Sequence, residues 1–506
     1  MKSQQNPAIT LSPYQARIIE WVKTGRGHAV VSAVAGSGKS FTLVEIAHAI
    51  KGRGLFLAFN KSVATELGHK LEGTSMTAKT IHSLGMAAVR KAFGRVQVES
   101  RKYGKIIGEQ LDAANVRDRQ LSRKYWAAAK RLVDLARVDL IDLDGDTAEQ
   151  LDAIIDHHAL DIDPDITLGT LYRVVIASLR VGMARTSQID FGDMIWFPNV
   201  HNLAVQTFAW VCVDECQDLS RAQLDVARRA LRKGSRAIFV GDPRQAIYGF
   251  AGADAAAFGR IADEMNAAVL PLSVCYRCPS SHLALAREIV PEIEDAPGAS
   301  EGTIARWSSN EVVSQIVEGD MVLCRTNAPL IDVVYTLIRA GVPAAMAGRD
   351  IGQGLVSVAK QVSEKLGALG WGVGGSNFLD GLERWHDGEN RAILAKYDGD
   401  EDAAAGRLEA TADKVECVRI IATRCEAKGL DAFTAAVDEI FASERPSVLC
   451  SSIHRAKGGE ADRVILLNAS TLGTSKWART EWQREQERNL HYVALTRSKR
   501  DLVLVD

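Results

Sequence analysis

The segment Ala33-Val34-Ala35-Gly36-Ser37-Gly38-Lys39-Ser40 lies between a short apolar run and a helical pattern, and its chemistry is that of a phosphate cradle. Backbone N–H groups from Gly36 to Ser40, Ala35 included in the wrap, point at bound phosphate together with the dipole of the helix that follows. Lys39 would reach the β- and γ-phosphates of ATP, and the Ser40 hydroxyl would hold Mg²⁺. Ala33 stands where the usual pattern has its first glycine. Far downstream, Val213-Asp214-Glu215-Cys216-Gln217-Asp218 ends another apolar run. Asp214 offers a carboxylate to the metal, and Glu215 offers one to position the attacking water. A third string runs from Gly241 through Asp242-Pro243-Arg244-Gln245 to Tyr248-Gly249-Phe250-Ala251. Gln245 is one strand over from Asp214, within reach of a γ-phosphate. Tyr248 and Phe250 alternate in a turn, which suits stacking on nucleic-acid bases; packing of both rings in a core is the alternative.

These strings need a scaffold. Apolar strands are expected at 29–32, 54–59, 209–214 and 236–241, each followed by a helical pattern, which is the signature of a parallel sheet wrapped by helices. The alternation stops between Leu84 and about Ser187, where the chain is charged and helical. It resumes at 320–325, 447–452, 463–467 and 502–505, with a mainly helical stretch from about Arg349 to Glu444. Within that stretch the glycine-rich piece at 367–375 is expected to be a flexible connection. The expected plan is therefore an α/β fold with two lobes: residues 1–84 and 188–270 with an insertion at 85–187, and residues 271–348 and 445–506 with a reduced insertion at 349–444.

At 506 residues the chain exceeds one ordinary core. A net charge of −2 restricts any nucleic-acid binding to a local groove. No apolar run reaches the roughly 20 residues that cross a bilayer, and no secretory leader is evident, so a cytoplasmic, nucleoid-associated location without membrane contact is expected. The eight cysteines read as reduced, mostly buried thiols; only Cys275 and Cys278 have metal-like spacing. The acidic stretch 138–172 and the basic helix from Arg123 to Arg137 read as solvated charged faces.

Taken in order, DECQD at 214–218, GDPRQAIYGFAGA at 241–253, Tyr276-Arg277, Ser452-Ile453-His454-Arg455-Ala456-Lys457-Gly458-Gly459-Glu460 and Tyr492-Val493-Ala494-Leu495-Thr496-Arg497 resemble the UvrD/Rep/PcrA family of superfamily 1 DNA helicases. The resemblance covers both lobes from Gln15 to Arg497. It implies two RecA-like P-loop lobes, with Gln15 reading adenine, Tyr276 stacking on it, Glu460 holding the ribose, and Arg277 and Arg497 acting as arginine fingers. It implies single-strand contacts at Phe59-Asn60-Lys61, at Thr80 and His82, and at His454, besides Tyr248 and Phe250. Asp190-Phe191-Gly192-Asp193-Met194 resembles a further family string near the strand path. The chain departs from the family where Gly249 and Ala251 replace basic residues. It departs again at Phe41, which replaces an arginine next to the cradle and either stacks on the base or packs.

The activity implied is ATP- and Mg²⁺-dependent movement 3′ to 5′ along single-stranded DNA, with unwinding at single-strand/duplex junctions in repair, recombination or replication. Two alternatives stay open: a DNA-dependent ATPase that displaces DNA-bound proteins with little unwinding, and a 5′ to 3′ motor. Fingers supplied from a second lobe would make hydrolysis conditional on lobe closure.

Overall fold

The computed structural model describes residues 10–506 except 59, 159, 161, 164, 248–256, 368–369, 373–374, 397–400, 426–427, 442–445, 475–477 and 479–480. The chain divides into two compact units, residues 1–274 and 275–506. No described helix is long and apolar enough to cross a membrane.

In the first unit the elements run α1 (Pro13–Thr24), β1 (Ala29–Ala33), α2 (Lys39–Ala49), β2 (Gly54–Ala58), α3 (Lys61–Lys70), β3 (Met76–Thr80), α4 (Ile81–Phe93), β4 (Gln97–Val98), α5 (Lys102–Ala113), α6 (Arg119–Asp139), α7 (Thr147–His157), α8 (Leu168–Ala184), β5 (Gln188–Ile189), α9 (Asp193–Val200), β6 (Phe208–Val213), α10 (Arg221–Arg229), β7 (Leu231–Gly241), α11 (Ala257–Glu264) and β8 (Ala268–Leu272). Six strands form a parallel sheet in the order β3-β2-β6-β7-β1-β8. Strands β1, β2 and β6 are apolar on both faces because helices cover both, as parallel sheets require. The two strands the sequence pattern did not reveal are the edges. β3 (MTAKT) is half-exposed, and β8 (AVLPL) carries Pro271, tolerable only where one side of the ladder is free.

Helices α5 to α8 share one core with α4 and α9: Val89, Tyr103, Leu132, Leu171 and Phe197 belong to the same buried cluster. Helix α4 runs unbroken through residue 85. At the centre sits a charged network. Lys102 Nζ lies 2.7 Å from Asp193 Oδ2, Tyr103 donates to Asp193 Oδ1 at 2.9 Å, and Arg137 Nη1 lies 2.7 Å from Asp190 and 3.2 Å from Asp193. Lys102, Arg137 and Asp193 are all buried. Arg137 therefore corrects the reading of its helix as a charged exterior. The i, i+4 pattern of α6 shows its own charges, not the carboxylates that a segment some fifty residues on brings to meet them.

The second unit begins with β9 (Val274–Cys275), entered from the last residue of the first, and continues with α12 (Ser280–Ala286), β10 (Glu294–Asp295), β11 (Thr303–Trp307), α13 (Val312–Gln315), β12 (Met321–Cys324), α14 (Ala328–Arg339), β13 (Ala344–Met346), α15 (Arg349–Leu366), α16 (Ser376–Lys396), α17 (Glu401–Arg424), α18 (Leu430–Phe441), β14 (Val448–Ser452), β15 (Ala461–Leu467), α19 (Glu481–Leu495) and β16 (Ser498–Val505). Its six-stranded sheet has the order β11-β16-β15-β12-β14-β13, parallel throughout. Helices α15 to α18 pack into the same core as α14 and the sheet, with Leu355, Phe378, Val418 and Phe433 beside Val334, Cys450 and Ile465. The glycine-rich piece is anchored at Trp371, which is buried and stacked on Phe378 at 3.8 Å and 7°; only part of it lies among the described residues.

Asp193→Ala would leave Lys102 and Arg137 without the carboxylate they share. Urea denaturation should register a loss of about 3–5 kcal/mol, the cost of stranding buried charge.

Candidate functional site

Every strand of the first sheet points the same way, so the loops after β1, β2, β3, β6 and β7 leave from one edge. Parallel sheets bind ligands outside the carboxyl ends of their strands for this reason. The phosphate cradle leaves β1, the Asp214-Glu215 pair leaves β6, and Asp242 leaves β7. Asn60 and Lys61 follow β2, and Thr80 and His82 follow β3, on the other half of the same edge.

The cradle has the backbone its composition demands. Gly36 (φ 66°) and Gly38 (φ 76°) occupy the left-handed region, and Gly38 starts α2 with no side chain capping it, so the helix N-terminus is open. Ser37 Oγ is buried without a hydrogen-bond partner, which suits a phosphate oxygen. Ser40 is exposed at the first turn of α2 and Phe41 is half-buried beside it.

Lys39 Nζ lies 3.1 Å from Glu215 Oε1. Burial alone would lower the lysine pKa, but the carboxylates of Glu215, Asp242 and Asp214 outweigh it and raise the value. Burial and the neighbouring Glu215 push Asp214 up to about 7, despite Lys39. Burial likewise pushes Asp242 up to about 6, with Lys39 opposing. Three carboxylates thus face one ammonium group, a balance that a divalent cation would correct. Among the described residues no cluster of three His, Cys, Asp or Glu side chains has metal-holding geometry. Glu215 itself sits at φ 50°, a conformation a non-glycine residue adopts only when its surroundings enforce it.

Gln15 is buried against the cradle; a Cβ on Gly38 would lie 3.4 Å from its Nε2. Its Oε1 accepts from Ser12 N–H in a capping box at the start of α1, and its Nε2 donates to Thr42 at 3.2 Å. Gln245 is buried and donates from Nε2 to Asp242 Oδ2 at 2.8 Å. Asn60 caps α3 through Val63 N–H, Thr80 caps α4 through Ser83 N–H, and Lys61 is exposed. Phe59, Tyr248 and Phe250 lie outside the described residues.

A pocket of about 300 Å³ joins His82 to Asp190, Phe191, Arg137 and Ser220. Phe191 is 61% exposed on its rim, between Asp190 and Asp193; the sequence signal for it is an aromatic residue flanked by two aspartates within three positions. Asp242, in the same string as Gln245, joins the site through the Gln245 bond and its proximity to Lys39.

In the second unit Arg277 Nε lies 2.7 Å from Glu460 Oε2, and Lys499 Nζ lies 2.6 Å from Glu460 Oε1. Partial burial would raise the Glu460 pKa, but Lys499 and Arg277 together lower it. Arg497 is 1% exposed, donating to the carbonyls of Val493 (2.8 Å) and Gly459 (3.2 Å) and to Thr496 Oγ1 (3.1 Å). Tyr276 is 47% exposed. His454 follows β14 and lines a pocket of about 470 Å³ with Arg325, Asp350, Glu409, Asp413 and Lys414. This lining is of mixed charge, not uniformly basic. All eight cysteines are free thiols, seven of them buried.

The UvrD/REP helicase N-terminal domain matches residues 14–266, half of the chain. The chain belongs to the UvrD/Rep helicase family. The UvrD-like helicase C-terminal domain matches residues 447–505 in addition. Relatives include the ATP-dependent DNA helicase PcrA of Bacillus subtilis, 25% identical over 304 residues, which is 55% of this chain and 39% of that protein. The PcrA of Staphylococcus aureus strain Mu50 is 23% identical over 264 residues, 46% of this chain and 34% of the relative. That of Staphylococcus epidermidis is 21% identical over 381 residues, 65% and 50% respectively. The match thus spans half or less of each of these relatives. The N-terminal match contains five of the six strands of the first sheet, and the C-terminal match contains β14, β15 and β16 of the second.

His454 supplies a test of charge. Burial, and then Arg325, hold its pKa down at about 3. Its folded value lies below the unfolded one, so the stability it contributes is present above about pH 6.5 and is lost as pH falls toward the folded value. If the ring meets a DNA strand it does so neutral. Binding of oligo-dT measured from about pH 5.5 to 8 should show no step that His454→Gln removes.

Proposed function

We propose that this protein is an ATP- and Mg²⁺-dependent DNA helicase that moves 3′ to 5′ on single-stranded DNA and opens single-strand/duplex junctions. The observation that carries the reading is the Lys39–Glu215 contact at an open helix N-terminus, with Asp214 and Asp242 beside it, on a sheet edge shared with Asn60, Lys61, Thr80 and His82.

The triphosphate lies on the N–H groups of 35–40, with Ser37 donating its unused hydroxyl to a phosphate oxygen. Lys39 leaves Glu215 for the β- and γ-phosphates, and that exchange frees the Glu215 carboxylate to take the proton of the attacking water. Ser40 and Asp214 hold Mg²⁺, which neutralises phosphate charge when bound. Gln245 contacts the γ-phosphate. Gln15 and Tyr276 hold the adenine, Phe41 packs beside it, and Glu460 holds the ribose. Arg277 and Arg497 offset the charge that develops in the transition state, an effect worth roughly 10³–10⁵ in rate for an arginine finger. Arg277 must first leave Glu460, and Arg497 must first give up the carbonyls it now holds.

Phe59, Asn60, Lys61, Thr80, His82, Tyr248, Phe250 and His454 contact the strand, and the exposed ring of Phe191 adds a stacking surface beside His82. Stacking on an aromatic ring is worth about 1–3 kcal/mol per base and ignores sequence. DNA-bound proteins are candidate targets for displacement.

Lys39→Ala should lower ATP turnover by about 10²-fold or more while single-stranded DNA affinity stays within about twofold. Duplexes with a 3′ tail should be unwound and those with a 5′ tail should not. Turnover indifferent to DNA would refute the motor, and selective unwinding from 5′ tails would reverse the polarity. Displacement of a DNA-bound protein without unwinding would recast it as a stripping enzyme.

A further inference from the structure

We propose that Gln217 is a positioning residue that ties the Glu215 carboxylate to the Asp242–Gln245 turn and so couples the water-activating group to the loop that follows. The inference rests on the reading above and deepens it.

Gln217 is 1% exposed, and its amide is used at both ends. Nε2 donates to Glu215 Oε2 at 2.6 Å, and Oε1 accepts from Asp242 N–H at 3.1 Å. Chemistry fixes which end is which: a carboxylate only accepts, and a backbone N–H only donates. The bonds continue. Asp242 Oδ2 accepts from Gln245 Nε2 at 2.8 Å, and Gln245 N–H donates to the Asp242 carbonyl at 2.9 Å. One unbroken sequence of hydrogen bonds therefore runs from Glu215 to the turn at 243–245, after which the chain passes directly to Tyr248 and Phe250.

Space for this bridge has been kept open. A Cβ on Gly241 would lie 2.4 Å from Gln217 Oε1 and 2.8 Å from Cys216 Sγ, so β7 ends on a residue without a side chain where Gln217 crosses it. Gly241 has no positive φ that would otherwise call for glycine; close approach is the reason. Glu215 sits at φ 50°, so the residue that Gln217 holds is one whose backbone its surroundings constrain. A movement of the 243–245 turn when a strand binds would reach Glu215 through Gln217 with no change at the phosphate cradle.

The test compares wild type, Gln217→Met, Gln245→Ala and the double variant in ATP turnover with and without oligo-dT, alongside affinities for a fluorescent nucleotide and for oligo-dT. The relay predicts that Gln217→Met lowers DNA-stimulated kcat about tenfold or more, leaves both affinities within about twofold, and that the double variant is no worse than the poorer single one. Unchanged kcat, equal loss of kcat and affinity, or strictly additive losses would overturn it. Should Gln217→Met fail to fold, Gln217→Glu decides: it keeps an acceptor for Asp242 N–H and lacks a donor for Glu215. Loss of kcat at unchanged nucleotide affinity supports the relay, and wild-type turnover refutes it. Wild-type turnover that DNA does not stimulate would instead sink the motor reading, which separates the two failures.

Discussion

One ammonium group set among three carboxylates governs the first unit. Lys39 lies 3.1 Å from Glu215 and only partly offsets the burial that weakens the acidity of Asp214 and Asp242. Such a site is poorly satisfied by itself and carries surplus negative charge. The same surplus explains why Lys39 stays charged although it is buried. The parallel sheet makes the cluster unavoidable: β1, β6 and β7 are neighbours, and each delivers its charged residue at the same end. The placement of Asn60 and Thr80 after β2 and β3 follows from that geometry with nothing further assumed.

The central strands were legible because they are apolar on both faces, so 29–33, 54–58 and the buried end of β7 stand out as short hydrophobic runs. The edge strands were not. Strands β3 and β8 have one exposed face and one free ladder side, and composition there looks like loop. Within the site, the glycine loop before Lys39 and the Asp214-Glu215 pair stand out by residue type at the ends of apolar runs, and the structure brings them to one edge of the sheet. Asp242 and Gln217 were not, because their significance lies in contacts across β6 and β7 rather than in spacing along the chain. Arg137 failed for the same reason: a helix pattern marks it as surface, and only the meeting with Asp190 and Asp193 makes it interior.

The second unit keeps two of its arginines engaged within itself. Glu460 is shared by Arg277 and Lys499, and Arg497 spends its guanidinium on backbone carbonyls of its own unit. Neither arrangement is a defect. A buried guanidinium without partners would be costly, and these contacts satisfy both groups.

Helices α15 to α18 extend this logic. They share one hydrophobic core with the second sheet, so they are a packed layer of the unit and not a body hung from it. Asp413 of α17 seals the junction, its carboxylate accepting from the backbone N–H groups of Asn327 and Ala328 at the start of α14. A helix N-terminus attracts anions, and here the protein supplies its own. With Asp350 and Glu409 on the same pocket wall, the neighbourhood of His454 is not basic enough to grip a phosphate backbone by charge. The charge around His454 is therefore mixed, and burial holds its imidazole neutral.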